Sequence, residues 1–287
     1  RKEKERSRAD TVRTLRVAFI ALFSAQGAFL FGLDIGYIGP ILDCDQFKRD
    51  VAHLNNWQEP DSKINGAVSG VIVAMFSVGC IISSFPLISS YFLDTWGRRS
   101  TIMLAGTVFL VGCVLQSFTL SMSLFLVGRF VTGLSIGLLS LVVTLYQSEI
   151  APPELRGALT TLYQCMITFG ILVAAVLDLA LVHRENGWRA AILVQLIPGV
   201  LLVVGMYFLP NSPRWLAQQN RKEEALEVLV GLRGEERAST ELDEIVADLA
   251  ETAKFGEPTW SEMFQGRISQ LVTIGVALQM LQQLVGM

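Results

Sequence analysis

Long apolar stretches alternate with short polar ones along most of the chain. Residues 17–42, 65–92, 100–120, a stretch opening at Leu124, 158–182 and 190–209 are each apolar over about 20 residues, and another begins at Ile268 and is still running at Met287. That length spans the hydrocarbon core as a helix. The pattern therefore predicts an all-α membrane protein with six spans in 17–209 and a further span opening at 268–287. Pro86 and Pro198 fall inside predicted spans, where a missing N–H kinks a helix. Residues 1–16 are polar and basic and read as a tail. Residues 210–267 differ from the rest. Runs such as Glu223-Glu224-Ala225-Leu226-Glu227-Val228-Leu229 show helical amphipathic spacing, predicting short soluble helices that join two membrane parts. The last stretch is barely long enough to span, so the sequence reads as one half of a larger bundle plus the start of the next.

Composition agrees with this reading. Charged residues make up 17% of the chain and mean hydropathy is +0.48, against about 25% charge in soluble domains. Net charge is -3, and no basic patch interleaves with aromatics, so nucleic acid is not expected as a partner. Cys80, Cys113 and Cys165 lie in apolar blocks, and Cys44 has no partner in its loop. Neither a disulfide framework nor a metal-ligand spacing is present. No nucleophile–base set appears, so neither an enzyme nor a bound cofactor is expected. Lys and Arg give orientation. The predicted tail and alternate loops hold seventeen, the opposite loops five, which places the N-terminus and the 210–267 loop in the cytoplasm.

Charges inside spans are the candidate chemistry. Arg129 lies in the fourth span and Asp34 in the first. A central arginine costs about 3 kcal/mol on insertion scales, so it faces a cavity or a partner. Counted from their helix starts, both residues fall in the outer half of the membrane, where pairing is the cheapest way to bury either. A carboxylate beside a guanidinium keeps its charge, and one that loses it in an apolar site gains a proton, so such a pair can act as a proton switch. The plainer alternatives are an arginine that ties down a carbonyl and an aspartate that reaches water at its helix end. Gly128, Thr132, Gly133 and Gly137 are small residues that let neighbouring backbones approach. Gln164 lies in the fifth span, and Gln279, Gln282 and Gln283 in the last. An amide offers donors and an acceptor to hydroxyl-rich ligands, or simply bonds between helices. Asp94, Arg98, Arg99, Glu149, Arg156 and Arg214 gather at predicted cytoplasmic helix ends, as solvated flanks or as a salt-bridge latch.

The motifs resemble the sugar porter branch of the major facilitator superfamily. Asp94-Thr95-Trp96-Gly97-Arg98-Arg99 is similar to its D-R/K-x-G-R-R turn, with Thr95 in place of the basic residue. Gly128-Arg129 with Gly133 and Gly137 is similar to its fourth-helix pattern, and Glu149 to Arg156 to its E-x6-R. Pro210-Asn211-Ser212-Pro213-Arg214 resembles P-E-S-P-R, with Asn211 for Glu. Gln282-Gln283-Leu284-Val285-Gly286 resembles Q-Q-L-x-G. The resemblance covers residues 17–287 and implies twelve helices in two halves, of which this sequence holds the first and the start of the second. It implies Asp34 as the proton-coupling carboxylate with Arg129 as partner, and Gln164, Gln279, Gln282 and Gln283 as sugar-hydroxyl ligands. The expected activity is proton-coupled monosaccharide transport by alternating access, in a multi-pass protein of the plasma membrane. The expected partners are sugar, proton, lipid bilayer and the second half. The alternatives are a non-transporting sugar sensor and a transporter of polyols or of organic acids such as quinate.

Overall fold

In the computed structural model the apolar stretches become helices, and the chain's glycines and prolines set where they break. The structure describes residues 2–54, 56–57, 62–181, 184–254 and 265–284, with only the helical backbone at 2–10 and at Gln283. The helices are α1 (Lys2–Ser24), α2 (Gln26–Asp43), α3 (Asp45–Asp50), α4 (Gly66–Ser84), α5 (Pro86–Ser117), α6 (Met122–Ile150) and α7 (Arg156–Leu181). They continue with α8 (Gly187–Val194), α9 (Leu196–Phe208), α10 (Pro213–Gln218), α11 (Lys222–Arg233), α12 (Glu235–Lys254) and α13 (Gly266–Leu284). Among the described residues six segments are long and apolar enough to cross a membrane: Thr11–Asp43, Gly66–Ser84, Pro86–Ser117, Met122–Ile150, Arg156–Leu181 and Gly187–Phe208.

Several boundaries differ from those predicted, each at a point the backbone dictates. The second apolar stretch does not run through to residue 92. Helix α4 ends at Ser84, and Pro86 opens α5 at a position where its missing N–H costs nothing. The kink inside α5 is at Gly97, whose φ of 78° is left-handed and suits glycine. The Trp215 ring packs where a Cβ at Gly97 would stand, 2.9 Å away. The sixth stretch is two helices, α8 and α9, because Pro198 leaves the Val194 carbonyl without its helical donor. Residues 2–16, read as a tail, continue as helix into the first span.

The chain forms two compact units, Arg1–Ser239 and Thr240–Met287. In the first, α6 is the centre. Of its most apolar window 61% is buried, against 22% in α4 and in α7. Its small residues serve two neighbours. Gly133 lies against the Phe76 backbone of α4, and Gly128 meets the Gln116 side chain of α5, approaches that a larger residue would block. Helices α2 and α7 pair the same way, with Gly32 against the Ile167 carbonyl and Gly36 against Ala174. The outer faces of α4, α7 and α9 carry exposed Ile81, Leu179 and Phe208, as lipid-facing helices do. The second unit holds α13 and most of α12, whose spacing is amphipathic.

Candidate functional site

Two helices deliver one charge each to the interior of the bundle. Helix α2 carries Asp34 and, one turn on, Tyr37; helix α6 carries Arg129. All three are at most 2% exposed. Arg129 Nη1 donates to Asp34 Oδ2 at 2.7 Å and to the Tyr37 hydroxyl at 3.1 Å. The Tyr37 hydroxyl lies 3.2 Å from Asp34 Oδ1 and 2.8 Å from Gln116 Oε1, so its one hydrogen serves either acceptor. Gln116 Nε2 donates to Thr132 Oγ1 at 3.3 Å, and Thr132 Oγ1 donates to the Arg129 carbonyl at 3.0 Å. The guanidinium also sits 4.7 Å from the centre of the Phe76 ring, a cation–π contact. The structure thus brings Asp34 and Arg129 together within a closed polar network of α2, α5 and α6.

The chemistry of such a network depends on the charge it holds. Buried charges in a low dielectric hold each other strongly, and removal of either leaves the other uncompensated. A proton on Asp34 cancels the attraction and frees Arg129, while the Tyr37 hydrogen can swing from Asp34 to Gln116. Tyr37 and Gln116 were not among the residues singled out by sequence, and Thr132 was singled out only as a small packing residue. Tyr37 is three positions from Asp34 on the same helical face, which is the one signal that could have found it.

The other singled-out residues are placed as follows. Gln164 is exposed on α7, where its carbonyl accepts from Thr168 Oγ1 at 3.1 Å. Gln279 is exposed and Gln282 half-buried on α13, in the second unit. Gln283 lies on the same helix, its side chain outside the described residues. Among the predicted latch residues, Arg98 Nη2 donates to Glu149 Oε1 at 2.9 Å, both side chains under a tenth exposed. Arg98 Nη1 also donates to the Leu93 carbonyl at 3.1 Å. Arg99 Nη2 donates to the Tyr207 carbonyl, and the Arg99 backbone N–H to Asn211 Oδ1 at 3.4 Å. Asp94 takes part through its main chain, its carbonyl accepting from Trp215 Nε1 and Gln219 Nε2, each at 3.0 Å. Arg156 and Arg214 are exposed. Among the described residues no group of His, Cys, Asp or Glu is arranged to hold a metal ion.

A bundle of six membrane spans closed around a buried ion pair is the architecture of one half of a major facilitator. The chain belongs to the sugar (and other) transporter family, whose profile matches residues 18–287. Membership and the six apolar spans make it part of a multi-pass membrane protein. The galactose-proton symporter of Escherichia coli is 33% identical over 288 residues, 99% of this chain and 57% of its own. The high glucose sensor RGT2 of Saccharomyces cerevisiae is 36% identical over 280 residues, 93% of this chain and 36% of its own. Among solved structures, the proton:xylose symporter XylE of E. coli, bound to 6-bromo-6-deoxy-D-glucose, superposes with a TM-score of 0.79 at 26% identity. That match covers 96% of this chain and 60% of XylE. The chain spans about half the length of the curated relatives it matches.

Proposed function

We propose that this chain supplies the first half of a proton-coupled monosaccharide symporter that works by alternating access. The observation that carries the reading is the buried Asp34–Arg129 pair, 2.7 Å apart, with Tyr37 able to follow a change in its protonation. A carboxylate that trades a guanidinium for a proton couples proton binding to helix movement, because the ionic part of the α2–α6 contact lasts only while the charge persists. Naming of two relatives as proton symporters supports the choice of proton over a purely facilitative mode.

In this reading Gln164 on α7, and Gln279, Gln282 and Gln283 on α13, offer amides to sugar hydroxyls. Arg98 and Glu149 form the core of a cytoplasmic latch, which Asp94, Arg99, Arg156 and Arg214 flank. The N-terminal segment lies in the cytoplasm, as the excess of Lys and Arg on that side supports, and the membrane is taken to be the plasma membrane. A sensor that binds sugar without moving it is the second reading, favoured by the likeness to RGT2.

The experiment that separates them is uptake of labelled hexose by the full-length protein in proteoliposomes, with and without an inward proton gradient. Accumulation that the gradient drives supports symport. Uptake that only equilibrates refutes coupling, and sugar binding without uptake selects the sensor.

A further inference from the structure

Asp178, on the last turns of α7, belongs to neither the ion pair nor the sugar amides. It is 4% exposed, and neither carboxylate oxygen has a hydrogen-bond partner among the described residues. Gln195 stands at the break between α8 and α9, 2% exposed, and its amide nitrogen and oxygen are equally unpartnered. The two side chains line one small cavity of about 10 Å³ together with Tyr37. A single water needs about 10–15 Å³ and several polar partners. On another side Asp178 lines a pocket of about 740 Å³ with Pro40, Asp43, Asp45, Gln46 and Trp57.

The register of α2 on α7 orders these groups. Gly32 lies against Gly170 and Gly36 against Ala174, so Pro40 falls level with Asp178. Asp178 therefore stands six residues beyond the level of Asp34, about 9 Å along the helix at 1.5 Å per residue. Tyr37, which touches Asp34 and Arg129, lies between. The titratable groups that line these cavities with Asp178 are Tyr37 and Asp43 from α2, Cys44 between α2 and α3, and Asp45 from α3. No Lys or Arg lines either cavity. Arg189 of α8 is engaged by Asp50 at 3.6 Å. A buried carboxylate without a partner is costly unless it takes up a proton, a water or a cation. Gln195 supplies a donor and an acceptor in a cavity sized for one water, which favours the proton.

We propose that Asp178, with Gln195, is a second proton-exchange site that passes a proton between the larger pocket and Asp34 by way of Tyr37. The inference rests on the symport reading above. A proton from water in the pocket adds to an Asp178 oxygen. On transfer that O–H bond breaks and a water in the small cavity takes the proton. The water gives one of its own hydrogens to the Tyr37 oxygen as the Tyr37 hydrogen passes to Asp34. One proton has moved. Asp178 is again a carboxylate, Asp34 is the acid, and Tyr37 and Gln195 are unchanged.

The test uses the full-length protein in proteoliposomes and infrared difference spectra of protonated carboxyl groups after a step in external pH. The wild type should show two carboxyl signals, one absent in Asp178→Asn and the other in Asp34→Asn. Proton-driven uptake in Asp178→Asn should fall about a hundredfold, the low end of what a positioned proton-transfer group supplies, while sugar exchange at equal pH continues. Should Asp178→Asn fail to fold, Gln195→Leu should shift the Asp178 signal by removing the polar group that shares its small cavity. An Asp178→Asn spectrum and uptake identical to wild type, or a Gln195→Leu signal unmoved, overturns the inference. So does uptake that follows sodium rather than pH. If Asp178→Asn is silent and Asp34→Asn still loses coupling, this site falls and the symport reading stands. If Asp34→Asn keeps coupling, the symport reading itself falls.

Discussion

Among the described residues the bundle buries the ion pairs Asp34–Arg129 and Arg98–Glu149, and they are built differently. Around Asp34–Arg129 the polar atoms answer one another: Tyr37, Gln116 and Thr132 link the pair into one network of side chains. Around Arg98–Glu149 the neighbouring bonds go to main-chain carbonyls, of Leu93 from Arg98 and of Tyr207 from Arg99; Arg98 Nε and Glu149 Oε2 have no partner among the described residues, nor does Arg129 Nε in the first pair. Side-chain networks are cooperative and fail together when one member changes protonation. Carbonyl contacts at helix ends are separate, and each can break alone. The first arrangement suits a switch thrown by one proton. The second suits a clamp that loosens by degrees as helices slide.

Breaking the first region should produce the largest effects. Arg129→Leu strands a buried carboxylate and should cost about 3–5 kcal/mol, read as a fall in melting temperature of the purified protein. The double variant Asp34→Leu with Arg129→Leu should recover most of that loss, since an apolar pair has no charge to strand. A double variant no more stable than the single one would show that the network is not the source. Next comes the scaffold that sets the network's geometry. Gly133→Val drives a side chain into the Phe76 backbone and should cost about 1–3 kcal/mol by the same assay. An unchanged melting temperature would mean that α4 and α6 do not need that close approach.

The second region should respond more gently. Glu149→Gln removes the charge that holds Arg98 and should shift the full-length protein toward the inward-open state by about tenfold, or 1.4 kcal/mol. Labelling of a cysteine placed in the cytoplasmic half of the cavity should rise, and apparent sugar affinity from outside should weaken. Asn211→Glu, which sets a carboxylate beside the Arg99 backbone N–H and guanidinium, should move the same readouts the other way. Arg156→Gln should be the smallest, within about 0.5 kcal/mol, since its side chain is exposed. A large effect there would restore Arg156 to the clamp.

The spans were legible because hydrocarbon thickness imposes a length that nothing else in the chain imitates. Helix breaks were less so. Pro86 announces a break, but whether it kinks a helix or opens one depends on the Phe85 backbone, extended at ψ 128°. Asp34 and Arg129 stood out as charges at one depth. Tyr37 and Gln116 did not, because neither is charged and their meeting depends on how closely α5 and α6 approach at Gly128. Asp178 sits near a helix end, where a carboxylate ordinarily reaches water. The packing of α2 and α8 around it, with Gln195 at the break, buries it. At the cytoplasmic side the sequence shows the Asp94 carboxylate but not that its carbonyl makes the contacts.

The central claim is that the buried Asp34 carboxylate is what couples sugar to proton. It is tested most directly by Asp34→Asn in the full-length protein, with exchange and accumulation of labelled sugar measured on the same vesicles. The account predicts that exchange between equal sugar pools persists, because the sugar amides are untouched. It also predicts that accumulation against a gradient is lost whatever proton gradient is applied. A variant that still concentrates sugar in response to a proton gradient would contradict it.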